Sequence, residues 1–155
     1  MKGNEQVIAT LNTLLADELT AINQYIVHSE MCANWGYGKL HDAVEARAIT
    51  EMRHAEKLIE RLLFLEGRPI VSQLNPMHIG ADVVAQFRDD LDAETNAVRL
   101  YNEAVQLASE QRDNGTRVIL ESILHDEEAH LDWLETQLDQ IEQMGLAPYL
   151  VEQVG

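Results

Sequence analysis

Almost nothing in this sequence can build a covalent or thiolate framework. Cys32 is the single cysteine, which excludes an intrachain disulfide and a four-thiolate metal cluster. Helix breakers are scarce as well: 8 glycines and 3 prolines in 155 residues leave a chain rich in Ala, Leu, Glu and Gln few places to end a helix. Positive charge is in short supply, with 11 Lys and Arg against 27 Asp and Glu and a formal net charge of −16. Such an excess repels nucleic acid and attracts cations. No apolar run approaches membrane-spanning length, and the amino-terminal MKGNEQVIATLN has no apolar signal core, so the expected location is cytoplasmic. What is present is apolar side chain, 46% of the residues, enough for the core of one domain over 1–155.

Helical periodicity covers nearly the whole chain. A first helix is expected from about Glu5 to Trp35, with Val7, Ile8, Leu11, Leu14, Leu15, Ile22 and Tyr25 on one face, and WGYG breaks it. A second runs from near Lys39 to Glu66 and stops at Gly67-Arg68-Pro69. Residues 68–81 form an aperiodic connection long enough to cross a bundle. A third helix spans roughly Asp82 to Asp113, Asn114-Gly115-Thr116 reads as a turn with a cap, and a fourth runs from about Thr116 to Met144. The tail LAPYLVEQVG fits a short fifth helix with Pro148 in its first turn. The pattern predicts an all-α four-helix bundle with one long crossover.

Two of these helices carry Glu-x-x-His: Glu51 with His54, and Glu127 with His130. Composition alone supplies about 0.6 such matches, so the face on which the acids lie is more informative than the motif. Glu51 lies on the stripe of Ala48, Ala55, Leu58, Leu62 and Leu65, and Glu127 on that of Leu120, Leu124, Leu131, Leu134 and Leu138. Glu18 falls between Leu15 and Ile22, and Glu94 between Leu91 and Val98. Each helix therefore points one carboxylate at the core, where an uncompensated charge is very costly. No Lys or Arg is expected on these stripes to neutralise them. Two divalent cations would do so, since four carboxylates carry four negative charges.

An internal repeat supports a shared site. Glu18 precedes Glu51 by 33 residues and Glu94 precedes Glu127 by 33; Tyr25 and Tyr101 each follow their acid by seven. Three residues apart on a helix, the Glu and His of each motif project within about 60° of one another and can bind one metal together. One Glu from each of two helices and Glu-x-x-His from each of two others is a di-metal carboxylate arrangement. Its oxygen-rich, singly imidazole-ligated character suits iron or manganese.

The landmarks DELTAINQY at 17–25, EMRHAEKLIERLLFLEG at 51–67, HDEEAHLDWLETQL at 125–138 and MGLAPYL at 144–150 together resemble the bacterioferritins, the haem-containing branch of the ferritin family, over essentially the full length. The resemblance implies a ferritin-like fold and a ferroxidase that oxidises Fe(II) with O₂ or H₂O₂. Glu18, Glu51, His54, Glu94, Glu127 and His130 would be its di-iron ligands, with Glu51 and Glu127 bridging and Tyr25 beside the site. The resemblance further implies a homo-oligomeric 24-subunit cage of two-fold dimers that stores ferric mineral. Met52 would be an axial ligand of haem b, or a related iron porphyrin, at the dimer interface, with Leu19, Ile22, Asn23, Ile26, Ile49 and Arg53 around it. Haem would pass electrons inward for iron release, from a small ferredoxin.

Two features depart from the family pattern. Ala46 and Thr50 stand where many members carry a His and an Asp of an accessory iron site, and Glu45 replaces an aromatic near the haem. Asn34, Glu66, Asp132 and Asp139 resemble residues that line an iron-uptake pore in relatives. Two other classes remain open at this point: a non-storage di-iron oxidase or peroxidase of small assembly, and a purely structural bundle with protonated or water-bridged acids.

Overall fold

The structure, a computed structural model, describes all 155 residues. Five helices follow in order: α1 Glu5–Asn34, α2 Gly38–Phe64, α3 Val83–Glu110, α4 Asn114–Met144 and α5 Leu146–Val151. There are no strands, and the four long helices form the ferritin-like bundle with α5 appended to α4. Short turns join α1 to α2 and α3 to α4, so each pair is an antiparallel hairpin. The hairpins associate mainly through α1 against α3.

The helix ends are set by local chemistry. Asn4 caps α1, its side-chain oxygen accepting from the amides of Gln6 and Val7 at 2.9 and 3.1 Å. The α2 terminus differs in detail from the expected glycine stop: Glu66, not Gly67, takes the left-handed conformation, with φ 60. Gly67 serves close approach instead, since a Cβ there would stand 2.9 Å from the Ile8 side chain. At the start of α4 the expected Asn114-Gly115-Thr116 turn is already helical, and Asp113 is the cap. Its carboxylate accepts from the Thr116 amide at 3.0 Å and the Thr116 hydroxyl at 2.6 Å, and pairs with Arg61 of α2 at 2.9 Å.

The crossover, 65–82, is held to α1 by a ladder of side-chain bonds to its backbone. Asn12 meets the Arg68 carbonyl and the Ile70 amide, Thr20 the Asn75 amide, Gln24 the His78 amide and His28 the Gly80 amide, at 2.8–3.1 Å. Because His28 Nε2 accepts from Gly80, its Nδ1 carries the proton, donated to the buried Asp90 of α3 at 2.9 Å. Gln24 donates to the same Asp90 oxygen at 2.9 Å. These polar groups thus satisfy an aperiodic segment and tie the two hairpins together.

The apolar core is divided. The largest part gathers Val7, Leu11, Leu14, Leu15, Leu58, Leu62, Leu120 and Ile123 with their neighbours, a second gathers Cys32, Leu40, Val83, Phe87, Leu134 and Tyr149, and a small third joins Tyr25, Val44 and Ala48. Tyr149 seats α5 by donating to Gln137 at 2.5 Å. Between the two larger parts lie the inward acids.

Burial raises the Asp113 carboxyl, but hydrogen bonds from Thr116 and Arg61 outweigh it and hold the pKa below 3.8. A folded-state pKa depressed in this way stabilises above the unfolded value, and the contribution is lost as pH falls through the folded one. Asp113→Ala is therefore expected to cost about 1–2 kcal/mol at neutral pH. The gap from wild type should narrow in strong acid, as read by urea denaturation across pH.

Candidate metal centre

The middle of the bundle holds four carboxylates, one from each long helix. Glu18, Glu51, Glu94 and Glu127 are each no more than 2% exposed, and His54 is equally buried. The apolar stripes around them fix this register, because turning any helix to expose its acid would expose leucines two turns away. His130 completes the set, its side chain 9% exposed.

The two Glu-x-x-His glutamates each present one oxygen to either side, which divides the site into two lobes. In the first, His54 Nδ1 lies 3.1 Å from Glu127 Oε1 and 3.6 Å from both Glu51 Oε2 and Glu18 Oε1. Ligating atoms of Glu18, Glu51, His54 and Glu127 all fall within 4.8 Å of one another. The second lobe has Glu51 Oε1, Glu127 Oε2 and Glu94, with His130 Nδ1 2.8 Å from Glu94 Oε1. A tyrosine from the opposite hairpin serves each terminal acid: Tyr101 donates to Glu18 at 2.6 Å, and Tyr25 donates to Glu94. Corresponding residues stand 76 positions apart, as in Glu18 and Glu94, Tyr25 and Tyr101, or His54 and His130.

One expectation is overturned. An arginine does reach the acids: Arg47 lies four residues before Glu51 on α2 and turns inward, its side chain 10% exposed. Nη2 stands 2.6 Å from Glu51 Oε1, 2.9 Å from Glu127 Oε2 and 3.6 Å from Glu94 Oε2, and Nη1 donates to the Asp126 carbonyl at 3.2 Å. The long, weakly hydrated guanidinium can lie along the helix and still bring its charge to a carboxylate pair. A second residue absent from the sequence reading is Asp126, whose carboxylate accepts from His54 Nε2 at 2.8 Å. That bond leaves Nδ1 facing the carboxylates, the orientation that an outer carboxylate imposes on a metal-ligating histidine.

The carboxylates, the histidines and Arg47 shift one another's proton affinities. Burial, then the Glu51 and Glu127 charges, push the Glu18 carboxyl well up; burial and Glu127 do the same to Glu94. Burial also raises Glu51, but hydrogen bonds from Glu18 and His54 and the Arg47 charge outweigh it and draw its pKa down. Desolvation disfavours His54 as a cation, yet bonds to Glu127, Glu18 and Glu51 carry it up to about 12. His130, without such a set, is lowered by burial. Three carboxylate oxygens still lack any hydrogen-bond donor: Glu18 Oε2, Glu51 Oε1 and Glu94 Oε2. Orphaned buried acceptors on hard oxygen ligands, distributed over both lobes, fit divalent cations of the iron or manganese type.

A cleft of about 480 Å³ runs from the surface to Glu51, Glu94 and Glu127, between α1, α3 and the crossover. Asp17, Asp89 and Asp92 line it with His78; burial and the Glu51 charge raise Asp17 to about 6. Sequence reading passed over these acids because they lie off the apolar stripes.

The other sequence-predicted residues lie elsewhere. Met52, Ile26 and Ile49 are 42–47% exposed, and Asn23 and Arg53 are exposed with them, on the outer face of α1 and α2. Leu19 and Ile22 are half-buried against the larger core part, and Arg53 pairs with Glu56 at 2.7 Å. A thioether flanked by exposed isoleucines fits the donor and wall chemistry of a haem held between two chains. Glu45 is exposed and pairs with His41 at 3.4 Å. Asn34, Glu66, Asp132 and Asp139 are exposed. Ala46 and Thr50 line a shallow depression beside Arg47, Asp126 and His130.

Glutamine imitates a carboxyl whose neutral form is favoured, as burial favours it at Glu18, better than one drawn toward the charged form, as at Glu51. Glu18→Gln is expected to change the stability of the metal-free protein by less than about 0.5 kcal/mol. Glu51→Gln, which strips a partner from a buried guanidinium, should cost on the order of 2 kcal/mol. Urea denaturation in the presence of a chelator ranks the two, and the opposite order contradicts this charge assignment.

Comparison with known proteins agrees with this architecture. A family model described as ferritin-like domain matches residues 8–144. A bacterioferritin of Mycolicibacterium paratuberculosis is 40% identical over 155 residues, covering 100% of this chain and 98% of that protein. One from Rhodobacter capsulatus is 42% identical over 145 residues, 94% of this chain and 90% of its own. A bacterial ferritin of Synechocystis is 41% identical over 156 residues, 100% of both. At that identity over its whole length, and with one buried glutamate on each helix of a crossover-linked bundle, the chain belongs to the bacterioferritins, within the ferritin-like family.

Proposed function

We propose that the protein stores iron and that its bundle centre is the ferroxidase that loads it. The observation that carries this reading is the two-lobed carboxylate site, in which Glu51 and Glu127 each offer one oxygen to a lobe with its own terminal Glu and His. Glu18 and His54 would hold one Fe(II), and Glu94 and His130 the other. Each substrate ion gives up one electron. A pair reduces O₂ by two electrons to H₂O₂ with uptake of two protons, and H₂O₂ in turn accepts two electrons to give water. Hard anionic ligands favour the ferric product, which supplies the pull on oxidation. Tyr25 and Tyr101 hold Glu94 and Glu18 in place by hydrogen bonds. The Asp17, Asp89 and Asp92 cleft offers cations a path with the favourable sign of charge.

Storage requires an assembly, and a 24-subunit cage of two-fold dimers is part of the proposal, in a cytoplasmic setting. The outer face bearing Ile26, Ile49 and Met52 would be covered by the same face of a second chain, with Met52 offered to a haem iron. Bound there, haem supplies an electron-transfer route for iron release, with a small ferredoxin as donor. No helix of the protein is long and apolar enough to cross a membrane.

Stopped-flow oxidation of anaerobically bound Fe(II), followed with light scattering on the same samples, tests the proposal. His130→Ala and Glu127→Ala should slow oxidation by at least ~100-fold without changing particle mass, which should be near 24 × 17.5 kDa. A wild-type monomer or dimer at all concentrations would rule out storage, and the same ligands would then belong to a small di-iron oxidase or peroxidase. Met52→Leu, reconstituted with haem, should lose the bis-thioether absorption signature that wild type acquires.

A further inference from the structure

The two lobes match in their Glu, His and Tyr residues but differ at two positions: Thr50 is the counterpart of Asp126, which accepts from His54 Nε2 at 2.8 Å, and Arg47 also lacks an equivalent. The counterpart of Arg47, 76 residues along, is Ile123, which is fully buried in the larger core part. The site therefore has a guanidinium on one side only, and it stands in the second lobe. Its Nη2 sits among Glu51 Oε1, Glu127 Oε2 and Glu94 Oε2, the oxygens that would face a metal held by Glu94 and His130. The first lobe, with Glu51 Oε2, Glu127 Oε1, Glu18 and His54, contains no guanidinium.

Resting on the di-metal reading above, we propose that Arg47 is a tethered competitor for the second metal. The two positions then fill in order, the His54 lobe first and the His130 lobe only when the guanidinium swings out. The present seat of Arg47 is incompletely satisfied, which keeps that swing accessible. Its Nε is buried with no hydrogen-bond partner, and Glu51 Oε1, though 2.6 Å from Nη2, receives no hydrogen bond from it. A destination adjoins it: the depression lined by Ala46, Thr50, Asp126 and His130, where small side chains leave room and the half-exposed Asp126 carboxylate can accept the charge. Outward movement of one arginine would thus couple occupation of the second lobe to the face of α2 and α4 where these residues open.

Calorimetric titration of the assembled, metal-free protein with Co(II) tests this directly. Wild type should bind one equivalent per chain tightly and a second at least tenfold more weakly. In Arg47→Gln the second step should strengthen at least tenfold while the first stays within threefold. Equal affinities in wild type, or an undiminished gap in Arg47→Gln, would overturn the role of Arg47 while leaving the di-metal reading standing. Failure of either protein to bind Co(II) in the bundle would overturn both. Should Arg47→Gln fail to fold, electron paramagnetic resonance of wild type alone decides. Ordered filling gives an isolated high-spin Co(II) signal that grows up to one equivalent and falls as the second ion couples to it; pairwise loading, with coupled ions from the first addition, excludes the proposal.

Discussion

Four carboxylates packed into the middle of a helical bundle must be matched by positive charge or by protons, and the rest of the molecule is arranged around that requirement. Leaving them bare would cost far more than a domain's net stability. The bundle sets the acids between the two larger parts of its apolar core, each on a helix whose leucines fix its rotation. The chain itself supplies part of the compensation: burial and neighbouring charge favour the protonated forms of Glu18 and Glu94, and His54 and Arg47 stand against the carboxylates. Such an arrangement holds the ligands in register without satisfying every acceptor: three buried carboxylate oxygens receive no hydrogen bond, two of them beside the Arg47 guanidinium.

Pseudo-two-fold symmetry explains why the site has two lobes, and its violations at Arg47 and Asp126 explain why they are unlike. Each hairpin supplies two buried Glu, a His and a Tyr, and each Tyr donates to a Glu of the other hairpin. Crossed bonds of this kind couple the hairpins at the site, while His28, Gln24 and Asp90 couple them beside the crossover. With Arg47 facing Ile123 across the pseudo-axis, equal ligand sets sit in unequal fields.

Much of this was legible in the residues. Periodicity located the long helices to within a few positions, and the equal spacing of Glu18–Glu51 and Glu94–Glu127 paired the acids before any geometry was known. What escaped has physical reasons. Arg47 falls on the Glu51 face at i−4, but an arginine's reach lets it point either to solvent or to a buried carboxylate, and a helical projection assigns only the Cα–Cβ direction. Asp126 was hidden by its neighbour Glu127. The ladder from Asn12 to His28 escaped because its partners are backbone groups of an aperiodic segment, which impose no residue pattern of their own. Asp113 displaced the expected cap because the chain enters α4 directly from Arg112, at φ 57, without a further turn.

The central claim is that the bundle's four glutamates and two histidines enclose a pair of metal ions. Anomalous diffraction at the iron edge, from crystals loaded anaerobically with Fe(II), tests it most directly. The account predicts two peaks inside each bundle roughly 3.5–4 Å apart, one beside Glu18 and His54 and one beside Glu94 and His130. Iron confined to exposed acids, with the buried carboxylates bonded only to protein or water, would contradict it.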